Sequence, residues 1–153
     1  SSQKLIFTTN GFAKQLINEN VQPARAQVLI TKPIENLDIK GTFHLDCGYY
    51  YFRNIDNRIL LGGGRHLDIK TETTTKLAQT EKIQQSLENL LKYTILPERD
   101  YEIDHRWSGI MGVGSQKKPI VKQLSNHVYC GVRMGGMGVA IGSLIGKEVS
   151  DFF

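Results

Sequence analysis

The chain has 153 residues, with 19 Lys and Arg against 15 Asp and Glu, a formal net charge of +4 and two cysteines. That length suits one domain with a sizeable core. The basic residues are scattered, with no block of five or more, so no nucleic-acid partner is expected; no apolar run reaches the ~20 residues of a membrane span. No signal peptide is legible. His44, His66, His105 and His127 stand isolated, so no metal site is expected. Cys47 and Cys130 lie in apolar, strand-like contexts and read as two buried, reduced thiols of a cytoplasmic protein. The chain opens at Ser1 and enters an apolar strand almost at once, which predicts a piece of something longer.

Leu5 to Thr9 is a short β run closed by the turn signal Asn10-Gly11. Phe12 to Ile17 is a short helix by spacing, and Pro23 breaks the chain. Ala26 to Thr31 is a second strand, and Ile34 to Lys40 a loop. Thr42–Asp46, Tyr49–Arg53 and Arg58–Leu61 predict an antiparallel sheet, with Asp56-Asn57 as a hairpin turn. Alternation puts Tyr49 and Tyr51 on one face, Tyr50 and Phe52 on the other. The aromatic run suits ordinary sheet packing or the wall of a ligand pocket. Gly62-Gly63-Gly64-Arg65 then predicts an irregular bend or a close approach. Thr73 to Thr75 and Thr80 offer N-caps for a helix whose apolar stripe is Ile83, Leu87, Leu90 and Leu91, with Gln84, Gln85 and Glu88 solvated. Pro97 stops it. Tyr101 to Met111 returns to strand, Gly109 to Gly114 reads as a second glycine-rich bend, and Pro119 to Val121 is a further strand.

The last stretch organises the rest. Val128 to Val132 is an apolar strand, Asn126-His127 the turn before it, and Gly135-Gly136-Met137-Gly138 opens a helical pattern of Val139, Ile141, Leu144, Ile145 and Val149. Strand, glycine turn and helix start form a geometry that binds anions: first-turn N–H groups are unpaired, the macrodipole is positive there, and glycines admit a ligand close to the backbone. A dinucleotide turn needs a second strand with an acidic residue about 20 positions on, and a P-loop needs Gly-Lys-Ser/Thr; neither fits here. The plainer reading is that Gly138, Gly142 and Gly146, four apart, let the helix pack tightly on a sheet.

The expected fold is therefore α+β: a mainly antiparallel mixed sheet with one long helix on it and a C-terminal strand–glycine turn–helix.

Four separated motifs occur in order: Thr9-Asn10-Gly11; Pro23-x-Arg25-x-Gln27-Val28-Leu29-x-Thr31-x-Pro33; Tyr51-x-Arg53 with Asn57-Arg58-x-Leu60-Leu61-x-Gly63-Gly64; and Trp107-x-Gly109-Ile110-Met111-Gly112 followed by Pro119-Ile120 and Gly135-Gly136-Met137-Gly138-Val139. Together they resemble the C-terminal part of FAD-dependent amine and amino-acid oxidoreductases of the D-amino-acid oxidase and glycine oxidase superfamily, in its gamma-glutamylputrescine-oxidoreductase-like and DadA-like branch. The resemblance covers nearly the whole chain. It implies a substrate-domain fragment over residues 1–153, with residues 1–11 and 127–153 belonging to the flavin domain of the intact protein. The N-terminal FAD-binding domain would be the missing partner, FAD the cofactor of the intact enzyme, and none would be retained by this chain alone.

The implied reaction is oxidation of a C–N bond of a small amine or amino acid, with hydride passing to flavin. The resemblance places Gly135, Gly136, Met137 and Gly138 against the cofactor and Tyr49, Tyr51, Arg65, Met111 and Arg133 on the substrate side; it assigns no catalytic residue. The sequence departs from the family pattern at Met111, where amino-acid oxidases carry a carboxylate-gripping arginine, at Gly112, where they carry proline, and at Met137, where many relatives carry histidine. An α-amino-acid substrate is thereby disfavoured against an amine, and Arg65 or Arg133 is left to supply positive charge. The competing readings are a free-standing α+β module that binds an anionic ligand at the 135–138 turn, and an interaction domain that uses the Gly138/Gly142/Gly146 helix face.

Overall fold

The computed structural model describes residues 2–153. The fold is α+β, as expected, but its strands form two sheets rather than one. Among the described residues eight strands occur: β1 (Leu5–Phe7), β2 (Gln22–Thr31), β3 (Thr42–Leu45), β4 (Tyr50–Ile55), β5 (Arg58–Gly63), β6 (Ile103–Val113), β7 (Ile120–Ser125) and β8 (Val128–Val132). The helices are α1 (Ile69–Glu72), α2 (Glu81–Leu90) and α3 (Gly138–Ser150), with short 3-10 turns between elements. Sheet order is β1-β8-β7 in one and β3-β4-β5-β2-β6 in the other. The chain divides into two compact units: unit 1 holds the residues up to Ala24, Thr73–Thr75 and Ile110–Phe153; unit 2 holds Arg25–Glu72 and Lys76–Gly109. Among the described residues no helix is long and apolar enough to cross a membrane.

Unit 2 is built on hairpins. Asp56 and Asn57 take φ values of 49° and 56°, the left-handed pair that a two-residue hairpin requires and that Asp and Asn tolerate best. That turn fixes the β4–β5 register, with Tyr51 opposite Gly62 and Phe52 opposite Leu61. Alternation then carries Phe52, Ile59 and Leu61 into the core, where Ile83, Leu87 and Leu91 close over them. The predicted stripe of α2 is thus the buried one, and a π-helical turn, Leu91–Ile95, ends the helix before Pro97.

Several local expectations are corrected. Pro23 does not break the chain but lies second in β2, where a proline forfeits at most one ladder bond at the strand end. The predicted bend at Gly109–Gly114 is instead the continuation of β6 to Val113. Gly112 serves close approach: a methyl group there would lie 2.6 Å from Asn10 Oδ1. Cys47 is exposed, not buried, because it occupies the tight β3–β4 turn with φ 53°. Tyr49 precedes β4 and stands in that turn rather than on a strand face. Thr80 holds the N-cap position of α2 without capping it, since its hydroxyl bonds Glu72 at 3.0 Å. Gln84 is buried at 7% exposure, not solvated.

Unit 1 pairs β1 parallel to β8 and β8 antiparallel to β7. Helix α3 packs on this sheet through Ile145 and Val149. The room comes from the strand: a methyl at Gly131 of β8 would lie 2.7 Å from Val149 Cγ2 and 3.3 Å from Ile145 Cγ2. Gly142 and Gly146 have nothing within 4 Å of a Cβ position. Tight packing through the helix glycines is therefore overturned. Val139 and Leu144 of the predicted stripe are exposed as well.

Candidate functional site

The final glycine turn is set by backbone torsions. β8 ends at Val132, and the chain turns through Arg133 at φ 64° and Gly135 at φ 57°. A 3-10 turn over Gly135–Met137 leads into the 13 residues of α3. No side-chain hydrogen bond caps this start, and no acidic residue lies in the first turn. The helix start therefore keeps its positive end uncompensated by its own side chains. A Cβ at Gly135 would meet nothing within 4 Å; one at Gly136 would meet only Met111 Sδ, at 4.0 Å; one at Gly138 only Met134 Cβ, at 3.9 Å. The turn presents an open face. Met137 beside it is 58% exposed.

Arg133 holds the strand end of this turn. It is buried at 8% exposure, and its guanidinium donates from Nε to the Lys118 carbonyl at 2.8 Å and from Nη1 to the Asn20 carbonyl at 2.9 Å. Two of its donors thus serve the protein's own backbone. The next residue, Met134, is held by Asn10, whose Oδ1 accepts the Met134 N–H at 3.1 Å. Motifs more than 120 positions apart meet here: the Asn10 turn, Met111 of β6 and the Gly135–Gly138 turn all belong to unit 1.

The remaining predicted residues belong to unit 2. Tyr51 lies over Gly62, where a methyl would sit 2.6 Å from the ring, and burial pushes its phenol above the usual range. Tyr49 stacks on His66 with ring centroids 4.1 Å apart, and Tyr50 meets the same imidazole edge-on at 5.4 Å. His66 Nε2 lies 3.6 Å from Asp46, whereas Nδ1 is buried with no hydrogen-bond partner. Burial lowers the Arg65 guanidinium from its ordinary value, and the Glu72 charge offsets part of that. Two open clefts in this unit, one beside Lys32 and Arg99 and one beside Phe43 and Ile95, contain none of the predicted site residues. Sequence reasoning missed His66 and Asn10. The signal for His66 is its place one residue beyond the glycine triplet, after Arg65. Asn10 was visible as a turn residue and as part of the Thr9-Asn10-Gly11 motif, with no site role attached.

Residues 1–152 match the family model described as FAD dependent oxidoreductase, DAO. The chain belongs to this family. Its relatives include a probable oxidoreductase, OrdL, of Haemophilus influenzae, 22% identical over 166 residues that cover 98% of this chain and 36% of that protein. Iminodiacetate oxidase from Chelativorans sp. has the same fold, with a TM-score of 0.76 at 17% identity over 98% of this chain and 42% of the other. So does L-proline dehydrogenase from P. horikoshii, at 0.76 and 17% over 97% and 42%. Glycine oxidase from Bacillus cereus gives 0.74 and 14% over 97% and 42%. The FAD-dependent oxidoreductase match takes in both units, and the chain spans well under half the length of these relatives.

Proposed function

We propose that this chain is the C-terminal part of an FAD-dependent oxidoreductase that oxidises the C–N bond of a small amine or amino acid, of the gamma-glutamylputrescine-oxidoreductase-like kind. The observation that carries the cofactor side is the open glycine turn at the start of α3. When bound, FAD supplies the acceptor for a hydride from the carbon beside the amine. The backbone N–H groups of Gly136 and Gly138 lie at the positive end of a helix, where they favour an electron-rich ring edge; the Met137 N–H between them already donates to the Met134 carbonyl at 3.1 Å. Glycine at three of the four turn positions lets that ring approach the backbone. Met111, beside Gly136, gives an apolar contact and no positive charge, so a carboxylate grip is not supplied from this position.

On the substrate side, Tyr49, Tyr51 and Arg65 are the proposed contacts. Arg133 is not proposed as the cation, because its Nε and Nη1 are occupied by the Lys118 and Asn20 carbonyls. Arg133 then shapes the turn. Residues 1–11 and 127–153 are assigned to the flavin domain in this reading. Parallel strands are ordinarily covered on both faces, yet β1 leaves Leu5 and Ile6 exposed at 49% and 39%, and α3 leaves Val139 fully exposed. These surfaces suit burial by further flavin-domain structure of the kind the longer relatives have room for. The chain alone is expected to be colourless and inactive.

Fluorescence titration of FAD tests the site. The expected result is weak, saturable quenching by the 153-residue chain, reduced about tenfold or more by Gly136→Val, a change that fills the approach path at a cost of at least one lost hydrogen bond to a charged ring. Equal quenching by both proteins contradicts the assignment, and tight flavin retention with turnover by the chain alone contradicts the partial-domain reading.

A further inference from the structure

We propose that Asn10 is a positioning residue for the glycine turn: its side-chain carbonyl sets the backbone that Gly136–Gly138 present to their ligand. The ligand's identity rests on the flavin reading above; the positioning itself does not.

Three observations converge. First, Asn10 Oδ1 accepts the Met134 N–H at 3.1 Å across 124 positions of sequence. The acceptor must be oxygen, because the backbone N–H can only donate, and this fixes the orientation of the amide. Second, Met134 lies between Arg133 and Gly135, both in the left-handed region at φ 64° and 57°. The Arg133 guanidinium ties down the strand side of this turn and the Met134 carbonyl accepts from the Met137 N–H at 3.1 Å, which leaves the Met134 N–H as the point where Asn10 holds it. Third, Asn10 is itself braced. Its φ is 42°, a conformation that Asn adopts more readily than most residues. β6 closes against it through Gly112, where a methyl would come within 2.6 Å of Oδ1 and 3.0 Å of the Asn10 backbone. Gly11 answers from the other side, with a methyl there 2.7 Å from Ile110 Cγ2 and 2.8 Å from the Met111 carbonyl. The same β6 segment brings Met111 Sδ beside Gly136. The acceptor is thus held by a backbone-to-backbone contact that tolerates no side chain on either glycine.

The role needs a short acceptor that accepts left-handed φ. Asn10→Asp keeps both properties; Asn10→Gly keeps the torsion and loses the acceptor. In the 153-residue protein, amide hydrogen exchange at Met134 is expected to quicken about five- to tenfold in Asn10→Gly, the scale of one hydrogen bond, and to stay near the unmodified rate in Asn10→Asp. Protection at Cys130 and Val132 of β8 should not change. With FAD as the probe, the shift changes at the Gly136 and Met137 amides should shrink in Asn10→Gly while the chain stays folded. An unchanged Met134 rate in Asn10→Gly, or an Asp variant as fast as the Gly variant, overturns the proposal. If Asn10→Gly loses protection everywhere, the Asp variant decides: the unmodified Met134 rate supports the proposal and a faster one overturns it. If FAD moves no amide in the unmodified chain, the flavin reading fails while the exchange result still judges Asn10.

Discussion

Glu72→Ala is expected to lower the unfolding free energy by about 3–5 kcal/mol, the usual cost of stripping one partner from a buried ion pair. Glu72 is 1% exposed and Arg25 4%. Arg25 Nε donates to Glu72 Oε2 at 2.8 Å and Nη2 to Oε1 at 2.9 Å, a two-point contact. Gln27 and Thr80 add donors to Oε1 at 2.9 and 3.0 Å. Gln84 bonds Gln27, and Arg106 bonds Gln84, so the network extends from β2 to β6 through α2. Removing the carboxylate leaves a guanidinium and two neutral donors buried without their acceptor. Arg25→Met combined with Glu72→Leu should recover much of the loss, because no charge is then stranded. Urea midpoints of the single and double variants measure both.

The same pair sets an acid limit. Desolvation alone would raise the Glu72 carboxyl, but hydrogen bonds from Arg25, Gln27 and Thr80, with the Arg25 charge, outweigh it and hold the folded-state pKa below the ordinary glutamate range. A depressed folded pKa means that the stabilisation is complete above the unfolded value of about 4.3 and is lost as pH falls below it. Glu72→Gln should flatten the stability-versus-pH slope in that acid window and leave the slope near neutrality unchanged.

Gly63→Ala is the second large effect, at roughly 2–5 kcal/mol from backbone strain together with overpacking. Gly63 has φ 125°, which alanine rarely adopts, and its Cβ would overlap the Tyr49 carbonyl oxygen and approach Tyr50 Cα to 2.7 Å. Both obstacles are backbone or close to it, so neither can rotate away. Gly135→Ala is the comparison: φ is 57° but nothing lies within 4 Å, so about 1–2 kcal/mol of torsional strain is expected. A thermal or urea midpoint that ranks Gly135→Ala as the more damaging would contradict the packing described at the β4–β5 end.

The local elements were legible because their causes are local. Asp56-Asn57 dictates a left-handed turn, and the spacing of Ile83, Leu87 and Leu91 names the buried side of α2. What was not legible depends on partners distant in sequence. Glu72 meets Arg25 across 47 positions, so Thr80 becomes a network member instead of a cap and Gln84 goes inside. Gly112 reads as a bend until Asn10 is seen against it. The helix glycines Gly142 and Gly146 read as packing residues, yet the close contact is made by Gly131 on the strand, since either partner of a strand–helix pair can supply the missing side chain. Among the proposed site residues, the clustering of Met111 with the Gly135–Gly138 turn follows the motifs. The two carbonyl contacts of Arg133 have no sequence signature.

The central claim is that the main-chain amides at the start of α3 receive an electron-rich ring. An amide-resolved NMR titration of the 153-residue chain with FAD tests it most directly. The account predicts saturable shifts concentrated on Gly135, Gly136, Met137 and Gly138. Shifts absent from that turn, or confined to the cleft beside Lys32 and Arg99, would contradict it.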